Sequence, residues 1–142
     1  PTTLVQTNID KENKLIYVKL CVYQTKLTTS EIATLNSKFA NRDLIVGDSA
    51  EPRLISELTR NNNIVAAIKG QGSITYGISL LQDYDLIIDE ESTDLIKELN
   101  NYCWLEKKSQ TPVDKFNHAI DALRYAVSYQ LQNPNQGEYH YY

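Results

Sequence analysis

The chain has 142 residues, of which 42% are hydrophobic and 23% are charged, and its formal net charge is −4. This composition is typical of a single soluble globular domain that is long enough to bury a core. The acidic balance argues against a domain whose main task is to grip nucleic acid by its phosphates, since that depends on clustered Lys and Arg. It leaves open an enzyme that acts on nucleic acid, because bound cations reverse the local charge of a carboxylate site.

The chain begins with Pro1 and contains no Met, which indicates a piece of a longer protein. No apolar run approaches the roughly 20 residues of a membrane span, so we expect no membrane partner. The two cysteines, Cys21 and Cys103, lack the C-x-x-C spacing of a zinc or redox site. We expect both to be free thiols in a reducing compartment.

The elements follow one another in a regular order. Two β-rich segments, 3–9 and 14–24, flank the polar stretch DKEN and predict a β-hairpin. Apolar runs and amphipathic stretches then alternate. They predict strands at 43–49, 63–70 and 85–91, and helices at 28–40, 51–62, 71–84, 92–106 and 114–133. The order β-β-α-β-α-β-α-β-α-α predicts an α/β domain over 1–133, a mixed sheet with helices on both faces, followed by a tail at 134–142.

Spacing within the helices predicts which side chains face the core. The first helix is expected to bury Ile32, Leu35 and Phe39, and the third Ile74, Ile78 and Leu81. The last helix carries an apolar stripe and, about opposite it, a polar one. The apolar stripe is Phe116, Ile120, Leu123 and Val127, and the polar stripe is Asp114, His118, Asp121 and Tyr125.

The polar stripe has two interpretations. Helical geometry alone favours an ordinary solvated face. In the alternative, His118 and Asp121, which are neighbours on the helix, point into a cleft and share a metal ion or a proton.

A second candidate is VGDSAEP, in which Asp48 follows a short apolar strand and precedes a helix. Asp48 either caps that helix or stands at a strand end where α/β sheets commonly place their sites. Carboxylates from a strand end and from a distant helix face are what a divalent cation with oxygen ligands requires.

The third candidate is IKGQGSITYGI. Its Gly70 and Gly72 allow close approach of the backbone to a ligand, and Lys69 is placed to contact a phosphate. An ordinary strand-to-helix turn explains the same spacing. The segment lacks the Gly-Lys-Ser/Thr of a Walker A motif, so the chain is not an ATPase by itself.

The segments VGDSAEPRLISEL, AAIKGQGSITYGISLL and DKFNHAIDALRYA resemble, in this order, the C-terminal nuclease domain of the phage terminase large subunit. The resemblance spans about residues 44 to 128. It implies an RNase H-like fold and an endonuclease that cuts concatenated double-stranded viral DNA. It also implies two Mg²⁺ or Mn²⁺ ions held by acidic residues.

The resemblance carries over to individual residues. It implies that Asp48 and Asp121 are catalytic metal ligands and that His118 orients a ligand or water, or shuttles a proton. Lys69 corresponds to a lysine near the DNA backbone. Asp114 is a weaker candidate ligand, and it is singled out by its position on the polar stripe and not by the resemblance.

The chain departs from the family at its start. The family's first acidic ligand lies on a central strand just before the segment that resembles PTTLV, so we expect that strand to be absent. Asp10 is no substitute, because it falls in the hairpin turn. We therefore expect the chain alone to be weak or inactive as a nuclease. We also expect the gap to close by local rearrangement or by pairing with another copy.

The implied partners are double-stranded viral DNA, the terminase ATPase domain, the small terminase subunit and the portal, in the host cytoplasm at the procapsid. Two alternatives stay open. One is another RNase H-like nuclease, resolvase or transposase core. The other is a non-enzymatic module that docks on a motor or portal and has an incomplete site.

Overall fold

A computed structural model describes residues 1–102 and 117–132. Their elements are β1 (Thr2–Asp10), β2 (Leu15–Gln24), α1 (Thr29–Ala40), β3 (Ile45–Gly47), α2 (Pro52–Leu58), β4 (Ile64–Ala66), α3 (Ser73–Gln82), β5 (Asp85–Ile88), α4 (Thr93–Asn101) and α5 (His118–Gln132). The predicted order and type of the elements are confirmed. Predictions for Cys103, Asp114, Phe116 and the tail lie outside the described residues.

The hairpin forms as the sequence predicts. β1 and β2 pair antiparallel from Thr2 opposite Gln24 to Asp10 opposite Leu15, with one register shift between Leu4 and Val5. Asp10 closes the turn, because its carboxylate accepts hydrogen bonds from the backbone N–H of Asn13 at 3.1 Å and from its side-chain amide at 2.8 Å. Asp10 is therefore a turn residue, as expected.

The strands fall into two sheets. β5 pairs parallel with β2, which makes the mixed sheet β1-β2-β5, while β3 and β4 form a separate parallel pair. Among the described residues, β1 and β3 therefore each keep one edge without a partner strand. Both strands line the same cleft, whose volume is about 1420 Å³. Within this part of the chain, the expected closure of the gap by local rearrangement is not found.

Helix α5 connects the two sheets, because it packs against β1 and β2 on one side of the gap and against β3 on the other. Its predicted apolar stripe is confirmed at Ile120, Leu123 and Val127, which are all buried. They belong to a core cluster that also contains Ile16 and Val18 of β2, Leu81 of α3 and Leu95 of α4. The residues that follow His118 are thus anchored in the core.

Two predicted core positions are wrong. Phe39 is 37% exposed because it lines the open cleft, where no element among the described residues covers it. Ile74 is 44% exposed because it lies in the first turn of α3, and the buried contacts of that helix begin only at Gly77. In both helices the spacing identifies the correct face, but the core does not extend far enough to cover it.

Within the described ranges, no helix is both long enough and apolar enough to span a membrane. Cys21 is a free thiol, as expected, and burial raises its pKa.

Candidate metal centre

Asp48 directly follows β3, where the strand opens into the cleft. Its Oδ1 accepts a hydrogen bond from the backbone N–H of Ala50 at 2.9 Å and pairs with Lys69 Nζ at 2.5 Å. The N-cap residue of α2 is Glu51, so the side chain of Asp48 is not the helix cap. Its carboxylate is held by a turn and a cation, at the strand end where a site was predicted.

The pKa of Asp48 lies below its ordinary value. Partial burial acts to raise it, but the hydrogen bonds from Lys69 and Ala50 and the charges of Lys69 and Arg124 outweigh that effect. The side chains of Lys69 and Asp48 are 37% and 45% exposed. Such an ion pair adds only about 0–1 kcal/mol to stability, so its main effect is on charge.

Asp121 projects from the first turn of α5. Its Oδ1 lies 3.3 Å from an Arg124 terminal nitrogen. Burial raises the pKa of Asp121, the Arg124 guanidinium opposes the shift, and the charges of Asp48 and Glu98 add to it. Asp121 and Asp48 therefore lie close enough to interact electrostatically, and both line the cleft.

His118 lines the same cleft, one turn before Asp121. Its ring meets the edge of the Tyr23 ring at a centroid distance of 6.5 Å and an interplanar angle of 69°. Its backbone carbonyl accepts a hydrogen bond of 3.3 Å from the Thr3 hydroxyl. His118, Asp121 and Tyr125, the members of the polar stripe that the structure describes, all line this cleft, which favours the cleft interpretation over an ordinary solvated face.

Lys69 lies beside Asp48 and Tyr125. Its ammonium is 5.1 Å from the centroid of the Tyr125 ring. Gly72 precedes α3 with φ 77°, which glycine adopts without strain. In this structure Lys69 neutralises Asp48, and the glycine segment acts as a strand-to-helix turn.

Arg124 belongs to the site, although the sequence patterns did not single it out. It is only 5% exposed, and its stem lies across Gly77 of α3. A Cβ at position 77 would come within 2.3 Å of Arg124 Cγ and 2.7 Å of its Cδ. The available signals were the position of Arg124, three residues after Asp121, and a glycine inside the facing helix.

The described residues provide part of a ligand set for a divalent cation. Two carboxylates from distant segments meet at one cleft, and carboxylate oxygens are the ligands that Mg²⁺ and Mn²⁺ prefer. Within residues 1–102 and 117–132, no group of three or more His, Cys, Asp and Glu is placed to hold a metal ion.

Comparison with known proteins identifies a matching family and a related protein. A family model described as the terminase RNase H-like domain matches residues 1–129. The large terminase subunit of Bacillus phage SPP1 is 30% identical over 143 residues, which cover 93% of this chain and 34% of that protein. The chain thus spans about a third of the length of this relative.

A solved structure shares the fold. The crystal structure of the large terminase nuclease domain from bacteriophage SPP1 with bound Mn superimposes with a TM-score of 0.72 and 29% sequence identity. The match covers 87% of this chain and 76% of the other.

Proposed function

The chain belongs to the terminase RNase H-like domain family, and we propose that it is the metal-dependent endonuclease domain of a viral DNA-packaging terminase. Its substrate would be concatenated double-stranded viral DNA, cut by hydrolysis of phosphodiester bonds. The observation that carries this proposal is the meeting of Asp48 and Asp121 at one cleft, where the charge of Asp48 helps to raise the pKa of Asp121. The Mn bound by the related nuclease domain supports it.

In this proposal Asp48 and Asp121 hold Mg²⁺ or Mn²⁺, with two ions in the complete site. When bound, such ions stabilise negative charge on the scissile phosphate and activate the attacking water. His118 orients a ligand or that water, or takes up a proton. Lys69 and Arg124 offset the two carboxylate charges while the ions are absent.

We further propose that the missing ligand lies on a strand that fills the cleft between β1 and β3. The cleft lies between the two strands and is lined by residues of both. The unpaired edges of β1 and β3 would each supply hydrogen-bond partners for that strand.

Plasmid nicking tests the proposal. In a longer chain that includes the preceding residues, we expect Mn²⁺-dependent nicking by the wild type and its loss in Asp121→Ala. Asp43→Ala is the matched control, because Asp43 lines the same cleft away from the two site carboxylates and should keep activity. Wild-type nicking rates in Asp121→Ala would refute the assignment.

The 142-residue chain alone should nick weakly or not at all, and robust cleavage by it would contradict the need for a third carboxylate.

The resemblance to terminases suggests how DNA reaches the site. We propose that the ATPase motor domain presents the DNA, with the small subunit and the portal as further partners, at the procapsid in the host cytoplasm.

The incomplete ligand set among the described residues favours one rival, a non-enzymatic docking module. That rival predicts no calorimetric signal for Mg²⁺ or Mn²⁺ binding even in the longer chain, whereas our proposal predicts binding there.

A further inference from the structure

Glu98 of α4 is a buried carboxylate at the start of α5. It is 1% exposed. Its Oε1 accepts hydrogen bonds from the backbone N–H of Ala119 at 2.8 Å and of Ile120 at 2.9 Å. Its Oε2 accepts one from the Tyr23 hydroxyl at 2.8 Å and lies 3.1 Å from the Ala119 nitrogen. One side chain thus joins β2, α4 and α5.

The two backbone donors belong to the first turn of α5, where N–H groups have no partner within the helix. A Ser, Thr, Asp or Asn at the N-cap usually satisfies them. Here a carboxylate from another helix does so, and its charge also interacts favourably with the positive end of the helix dipole. Burying a carboxylate this deeply costs free energy unless its oxygens are hydrogen-bonded. Conformations that break the bonds between Glu98 and the α5 amides are therefore strongly disfavoured.

The residues that donate these hydrogen bonds are adjacent in sequence to the candidate site residues. Ala119 and Ile120 are the only residues between His118 and Asp121. Fixing their amides therefore fixes where the backbone places both functional side chains. The Tyr23 ring, whose hydroxyl binds Glu98, also contacts the His118 ring.

The protonation state of Tyr23 suits its hydrogen bond to Glu98. Burial, together with the hydrogen bond to Glu98 and its negative charge, raises the pKa of Tyr23 to about 12. Tyr23 therefore stays a neutral donor at physiological pH, and Glu98 has acceptor oxygens for all three donors.

We propose that Glu98 is a positioning residue of the metal centre, which sets the place of Asp121 and His118 by binding the first amides of α5. This inference rests on the proposed function. It assigns Glu98 no contact with metal or DNA. Residues of this kind, one step behind the ligands, typically change metal affinity by 10–100-fold when they are altered.

The test compares Glu98→Leu with Tyr23→Phe by NMR, in the longer chain that includes the preceding residues. Glu98→Leu removes both acceptor oxygens and leaves the α5 N–H groups without this partner. Tyr23→Phe removes only the tyrosine donor and leaves those bonds in place. Mn²⁺ is added in steps, and line broadening of the Asp121 and His118 signals reports its approach.

We expect Glu98→Leu to need about tenfold more Mn²⁺ than the wild type for the same broadening, and Tyr23→Phe to stay within about twofold. Equal responses of Glu98→Leu and the wild type would overturn the inference and leave the metal site intact. Absence of broadening in the wild type would instead overturn the metal site itself, and the role of Glu98 with it.

A second measurement needs no variant. A scalar coupling across the hydrogen bond, from the Ala119 amide nitrogen to the Glu98 side-chain carboxyl carbon, should be detectable in the wild type. Its absence while the amide signal is sharp would overturn the inference, even if Glu98→Leu does not fold.

Discussion

At the scale of single residues, two carboxylates of one site have pKa values shifted in opposite directions. The pKa of Asp121 is raised by burial, so its ionised form costs folding stability as pH rises through the folded-state pKa. The pKa of Asp48 is lowered by Lys69 despite partial burial, so its ionised form adds stability that is lost as pH falls through the folded-state pKa.

Matched amide substitutions should therefore act with opposite sign. In EDTA at pH 7, we expect Asp121→Asn to raise the Tm and Asp48→Asn to lower it. Both differences should shrink at pH values below the folded-state pKa of each carboxyl, where the wild-type groups are neutral. Thermal unfolding followed by circular dichroism from pH 3 to 8 measures this. Shifts of the same sign at pH 7 would contradict the electrostatic description of the site.

Residue patterns revealed only the two carboxylates that line the cleft. Asp48 and Asp121 stand out because a strand end and a helix face are recognisable along the chain. Glu98 and Arg124 are charged residues whose burial depends on partners from other elements, namely the amides of α5 and the bare backbone at Gly77. Local sequence does not show that such partners exist.

At the scale of elements, close packing of α3 on α5 depends on Gly77. Alanine is favoured over glycine in a helix by roughly 1 kcal/mol, but a Cβ here would overlap the stem of Arg124. We expect Gly77→Ala to lower the free energy of unfolding by roughly 1–3 kcal/mol. Gly70→Ala is the control, because nothing lies within 4 Å of its added Cβ. Urea unfolding compares the two, and stabilisation by Gly77→Ala would show that Arg124 is not packed as described.

The order and type of the elements were predictable because strands and helices have different apolar periods. The start of α1 was predictable too, since Thr28 and Glu31 form a reciprocal capping box. The exposure of Phe39 and Ile74 was not, because periodicity identifies a face of a helix and says nothing about what covers it.

At the scale of the whole molecule, the described strands form two separate sheets, and this separation agrees with our proposal that another strand fills the cleft between them. Helix α5 packs against both sheets and so carries Asp121 and His118 to the gap between them. The resemblance to terminases predicted the RNase H-like fold and the gap. Only the three-dimensional structure shows that, among the described residues, β1 and β3 both keep an unpaired edge at the cleft.

The central claim is that Asp48 and Asp121 together hold a divalent cation. Anomalous diffraction from a crystal of the longer chain grown with Mn²⁺ tests it most directly. We predict an anomalous peak within about 2.5 Å of carboxylate oxygens from both residues, with Lys69 displaced from Asp48. A well-ordered site without such a peak, or a peak in contact with neither carboxylate, would contradict the claim.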